Sequence, residues 1–235
     1  MKKKTRWPIY LIIGLIVTFI AFTVPLPYYI EVPGTSEDIR KVLQVNNQPD
    51  QEEGSYQFVT VGVKHARMVD LVYAWLTPFT DIRSAKEMTG GSSDAEFMRI
   101  NQFYMETSQN MAKYQGLKSA GKEIELKYLG VYVLTVTDNS TFKGILNIAD
   151  TVTAVNDKTF ESSKEIVDYV NSQTLGDKVK VTYQEDGKVK TAEGKIITLE
   201  NGKNGIGIGL IDRTEVSSDV PIKFSTAGIG GPSAG

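Results

Sequence analysis

Cysteine is absent from the 235 residues, and histidine occurs once, at His65. The first absence removes thiol nucleophiles, disulfide staples and cysteine-based zinc sites. The second leaves little for a metal centre, and a Ser-His-Asp triad would have to use His65, which has no obvious aspartate partner. Charge of one sign is missing too: Lys plus Arg number 26 against 28 for Asp plus Glu. Without a positive field to hold a nucleic-acid backbone, no nucleic-acid partner is expected. There is no Walker nucleotide loop either. Gly205-Ile206-Gly207-Ile208-Gly209-Leu210 imitates a dinucleotide fingerprint, but the GxGxxG spacing and the following helix are lacking, so it reads as a glycine-relieved strand. No nucleotide, cofactor or metal is therefore expected.

What the chain does have begins at its N-terminus. Lys2, Lys3, Lys4 and Arg6 precede a run from Trp7 to Val24 that carries no charge. As a helix that run would reach about 27 Å, close to the ~30 Å hydrocarbon core of a bilayer. With Trp7 and Tyr28-Tyr29 as interfacial aromatics, it reads as a single-pass anchor with a cytoplasmic N-terminus and an extracytoplasmic bulk. A cleaved signal peptide is the rival, although its apolar region should be shorter and end in an A-x-A-like site, where this run ends Phe22-Thr23-Val24-Pro25. The anchor (1–27) leads through Pro25, Pro27 and Pro33 into an N-terminal region (28–122), with a short strand over 28–32.

Within that region 44–54 is polar and loop-like, and alternation predicts a strand near 56–63. Helical spacing covers 65–76 and 94–120, the second with Phe97, Ile100, Tyr104, Met111 and Tyr114 on an apolar stripe. Gly121 stops it. From Glu123 the texture changes to short strands over 124–136, 152–155, 178–183 and 188–192, with Glu185-Asp186-Gly187 as a hairpin signal. One helix lies among them, started by a Ser162/Glu165 capping box. The fold class read from this is α+β: an apolar N-terminal helix, a mixed region, then a small β-barrel around one main helix.

Tyr128-Leu129-Gly130-Val131 entering a strand, Lys143-Gly144-Ile145-Leu146, Ala149-Asp150, Val155-Asn156-Asp157-Lys158 and the capped helix 163–173 come in the order of a PDZ domain. Residues 123–198 resemble the PDZ domains of bacterial secreted proteases. The resemblance implies peptide binding by strand addition from Val131, with N–H groups of Leu129, Gly130 and Val131 converging on a carboxylate. Leu129, Val131 and Val133 should face Val167 and Val170 across an apolar slot. The family often has histidine at the first helix position, where this chain has Ser163.

The closing residues Pro221 to Thr226, then Ala227-Gly228-Ile229-Gly230-Gly231-Pro232-Ser233-Ala234-Gly235, resemble the catalytic serine segment of Lon-like serine peptidases. The resemblance makes 199–235 the start of such a domain. It implies Ser233 as nucleophile, with Gly230, Gly231 and Ala234 leaving room for a peptide carbonyl and N–H groups for the oxyanion. Its base would be a lysine beyond the residues given; Lys223 reads as a surface charge. Two functions follow as expectations. One is a membrane-tethered, ATP-independent endopeptidase acting on peptide or protein substrates, with the 235 residues alone inactive. The other is a membrane-anchored adapter that binds peptides without catalysis.

Overall fold

The computed structural model describes residues 7–226 and 228–231. They form two compact units: the first takes the described residues up to Lys41 with Glu52–Asp94, the second Val42–Gln51 with those from Ala95 on.

In the first unit, helix α1 (Trp7–Thr23) has 17 residues. Thr23 Oγ1 donates to the Phe19 carbonyl (2.7 Å) and Val24 N–H to that of Ile20 (3.0 Å), closing the last turn. The chain then turns extended at Pro25 as β1 (Pro25–Asp38). Among the described residues no helix is long and apolar enough to cross a membrane. This overturns the single-pass anchor and the cytoplasmic and extracytoplasmic assignment built on it. At ~1.5 Å per residue the helix spans about 25 Å, because β1 claims the residues that would lengthen it. Tyr29, read as an interfacial anchor, is instead buried.

After β2 (Leu43–Val45) come β3 (Gln57–Arg67), helix α2 (Met68–Leu76), β4 (Asp81–Ser84) and helix α3 (Ala85–Thr89). β1 is the middle strand of a three-stranded antiparallel sheet, β3-β1-β4. It is longer than the strand expected over 28–32. The β1–β3 register shifts between Pro25 and Tyr29 and between Pro33 and Ser36, where prolines have no N–H to give a ladder. α2 begins later than its spacing suggested: His65 stays in β3 opposite Tyr29. The Asp70 carboxylate fixes its start by accepting the Arg67 N–H (2.8 Å) and the Lys64 ammonium (3.0 Å).

The second unit opens with helix α4 (Asp94–Ser119 in full); Gly121, at φ 67°, follows its end. Phe103, Met105 and Leu117 are its buried residues, while the apolar stripe expected from Phe97 to Tyr114 is half-buried or exposed. Phe103 sets the rotation by stacking on Tyr132 at 3.7 Å. Then follow β5 (Glu125–Val136), β6 (Thr151–Val155), helix α5 (Ser163–Asn171), β7 (Lys178–Glu185), β8 (Lys188–Lys195), β9 (Ile197–Thr198), β10 (Asn204–Gly205), β11 (Ile208–Ser217) and β12 (Ile222–Phe224).

Five strands make one antiparallel sheet in the order β11-β5-β6-β7-β8. It is open, not the closed barrel expected, since its edge strands β11 and β8 do not pair with one another. The β7–β8 turn has Asp186 at φ 47° and Gly187 at φ 77°, the left-handed pair that a two-residue hairpin requires. Val131, Val133, Phe142, Val152, Ile166 and Val181 lead the core beneath the sheet. Residues from 199 on add β11 to this sheet, and β12 pairs with β2, which draws part of the stretch read as loop into a strand.

Candidate functional site

β5 and α5 frame the site. Alternation along β5 turns Val131 and Val133 into the core, where they meet Ile166 and Val170 of α5 in one buried cluster. Burying side chains of this size contributes about 1.5–3 kcal/mol each, which holds helix to strand. Tyr132 points to the other face, where it stacks on Phe103. Gly130 sits inside the strand at φ 136°, and a Cβ there would lie 2.2 Å from the Val152 carbonyl oxygen. Only glycine lets β6 come this close.

Helix α5 is placed by its N-terminus. The Ser162 hydroxyl accepts the Glu165 N–H (3.3 Å), while Glu165 reaches the N–H of Glu161 (3.0 Å), so the predicted box closes one residue early. Its next free N–H, at Ser163, donates to the Asp212 carboxylate of β11 (2.8 Å). Of the residues assigned to an apolar slot, Val131, Val133 and Val170 come together. Leu129 is half-buried, and Val167 lies at the rim with 38% of its surface exposed.

The edge of β5 expected to be open is filled. β11 runs antiparallel along it, with Ile208 opposite Val136, Leu210 opposite Val133, Asp212 opposite Val131 and Arg213 opposite Gly130. Ile208 and Leu210 pack against the core cluster. Gly130 is thereby paired in the ladder, next to the register shift between Arg213 and Thr214. At the α5 end the Tyr128 hydroxyl is buried without a hydrogen-bond partner. Burial, then the nearby Asp212 and Glu165 carboxylates, raises its pKa. Sequence reasoning missed Asp212, Leu210 and Ile208; the alternation from Ile208 was visible, its partner strand was not.

On the opposite face a cavity of about 270 Å³ is lined by Arg99, Phe103, Tyr132 and Arg213 among others. The Arg213 guanidinium donates to Thr151 Oγ1 (2.6 Å).

Ser233 and Ala234 lie outside the described residues. Gly230 and Gly231 rest on α4: the Gly231 N–H donates to the Asn101 carbonyl (2.8 Å), and a Cβ on Gly230 would stand 3.1 Å from Asn101 Cβ. That N–H is thereby engaged and not free for an oxyanion. Lys223 is exposed on β12. His65, expected to lack an aspartate, has one: Nε2 stands 2.6 Å from the Asp94 carboxylate, whose other oxygen accepts the Tyr29 hydroxyl. Tyr29 also stacks on the imidazole at 4.3 Å. Among the described residues no three His, Asp or Glu side chains cluster as metal ligands.

Residues 101–196 match the PDZ domain family, a match that begins within α4, well before residue 123. Among solved structures the chain is similar to the PDZ domain of an SdrC-like protein from Listeria monocytogenes, with 35% identity, 37% of this chain and 93% of that one covered, and a TM-score of 0.35. It is likewise similar to the PDZ domain of an SdrC-like protein from Listeria innocua (38% identity, 34% and 92% covered, TM-score 0.33). A third similar structure, from Geobacillus thermodenitrificans, is 32% identical, with 34% and 94% covered and a TM-score of 0.31. No curated protein matches.

Proposed function

From the premise that this chain carries a PDZ domain, we propose that it binds peptides as extended strands in the groove between β5 and α5. The observation that carries this reading is β11 itself: the edge of β5 accepts an antiparallel strand whose apolar side chains reach the core and whose carboxylate meets α5. Backbone pairing supplies affinity, and the alternate side chains supply selectivity. Peptides selected from a random library on the folded chain test it. Val167→Lys, on the exposed rim of α5, should weaken them at least tenfold through an unpaired charge at the slot. Unchanged affinity in the folded variant overturns the groove.

A peptidase role is the second reading, supported by the likeness of the closing residues to a Lon-like serine segment. In it Ser233 is the nucleophile, needs no nucleotide, and is activated by a neutral lysine beyond residue 235. A chain carried on through that lysine should cleave peptides without ATP and lose cleavage in Ser233→Ala. Undiminished cleavage by that variant refutes Ser233.

A further inference from the structure

β11 treats the groove as a bound peptide would, and it does so imperfectly. Its backbone is laid along β5 from Val136 to Glu125, with register shifts between Gly209 and Leu210 and between Arg213 and Thr214. Leu210 and Ile208 touch the core yet stay only partly buried. The Asp212 carboxylate takes the Ser163 N–H, but the Tyr128 hydroxyl beside it is left buried and unpartnered. A buried hydroxyl without a partner is unfavourable, so this strand does not satisfy the site in full.

Resting on the peptide-binding reading above, we infer that β11 is a displaceable internal ligand and a template for the external one. The groove then takes extended peptides with apolar residues at the places of Ile208 and Leu210 and an acidic side chain at the place of Asp212. Such a peptide enters only when β11 leaves. A tethered strand competes at an effective concentration of order millimolar. The apparent affinity for an external peptide falls by the fraction of molecules in which the groove is open. The β5–β11 interaction is therefore a gate on binding as well as a part of the sheet.

The probe is a fluorescent, C-terminally amidated peptide with the sequence of residues 206–217, so that its carboxylates come from side chains alone. Because the chain has no cysteine, Lys127→Cys with Glu215→Cys makes a unique disulfide lock. The two positions are opposite one another in the ladder and exposed. Reduced, this variant should bind the peptide; oxidised, it should bind at least tenfold more weakly. Leu210→Lys in the chain should raise affinity at least tenfold by weakening the competitor, with circular dichroism confirming the fold. The same change in the peptide should abolish binding, and Asp212→Asn in the peptide should weaken it. Equal affinity of locked and reduced chains, or no binding by either, overturns the inference. If the lock has no effect while Val167→Lys still weakens library-selected peptides, only the gate fails; if Val167→Lys has none, the groove itself fails.

Discussion

The two units of this chain handle the same β-rich composition in opposite ways. In the second, the alternation of β5, β6 and β7 points apolar side chains into one cluster that includes Val131, Val133, Val152 and Val181, each with no exposed surface. In the first, β3 alternates as cleanly, but Val59 and Val61 are left 78% and 62% exposed, and the buried residues are few, among them Tyr29, Ile30 and Ala66. The first unit leans more on polar devices: the Tyr29–Asp94–His65 set and the Asp70 cap of α2. A period of two thus marks a strand, but it does not say which face is covered.

That contrast can be broken or sharpened by substitution, read by chemical denaturation. Phe142→Ala, in the second unit's core, should cost about 3–5 kcal/mol, the range for emptying a buried aromatic site; Gly194 has no Cβ because one would collide with that ring at 2.4 Å. Gly130→Ala should cost about 2–3 kcal/mol, combining a strained φ with a collision against the Val152 carbonyl; a loss under about 0.5 kcal/mol would mean that β5 and β6 separate more easily than their packing implies.

In the first unit, Asp70→Ala should cost about 1 kcal/mol for the lost helix start. Burial opposes the Asp70 charge, but the Arg67 N–H and the Lys64 ammonium outweigh it and hold its pKa below the ordinary carboxylate value. Its stabilisation is therefore present above about pH 4 and is lost as pH falls through the lowered folded value, so wild type and variant should converge in acid. Smallest of all, Val61→Thr on the exposed face of β3 should stay within about 0.5 kcal/mol. A cost above 1 kcal/mol would show that face to be packed in solution, and the contrast between the units would shrink.

Elements with local causes were legible. Ser162 as a cap, Asp186-Gly187 as a hairpin and Gly121 as a helix stop each act within a few residues, and each stands where its chemistry placed it. Boundaries that depend on a distant partner were not. His65 and Ala66 fit a helical period, yet pairing with β1 keeps them extended. Gln44 and Val45 looked like part of a loop until Ile222–Phe224 supplied a strand. Tyr29, His65 and Asp94 are far apart in sequence, so no local spacing announced their hydrogen bonds.

By itself the sequence determined the order of strands and helix that makes a PDZ domain, because turn glycines, caps and apolar periods are written in adjacent residues. Only the tertiary structure decided that β11 fills the edge of β5, and so whether the groove is open. Backbone N–H and C=O groups are the same at every residue but proline, and an exposed strand edge pairs with whichever strand the fold brings alongside. No residue type in β5 names its neighbour.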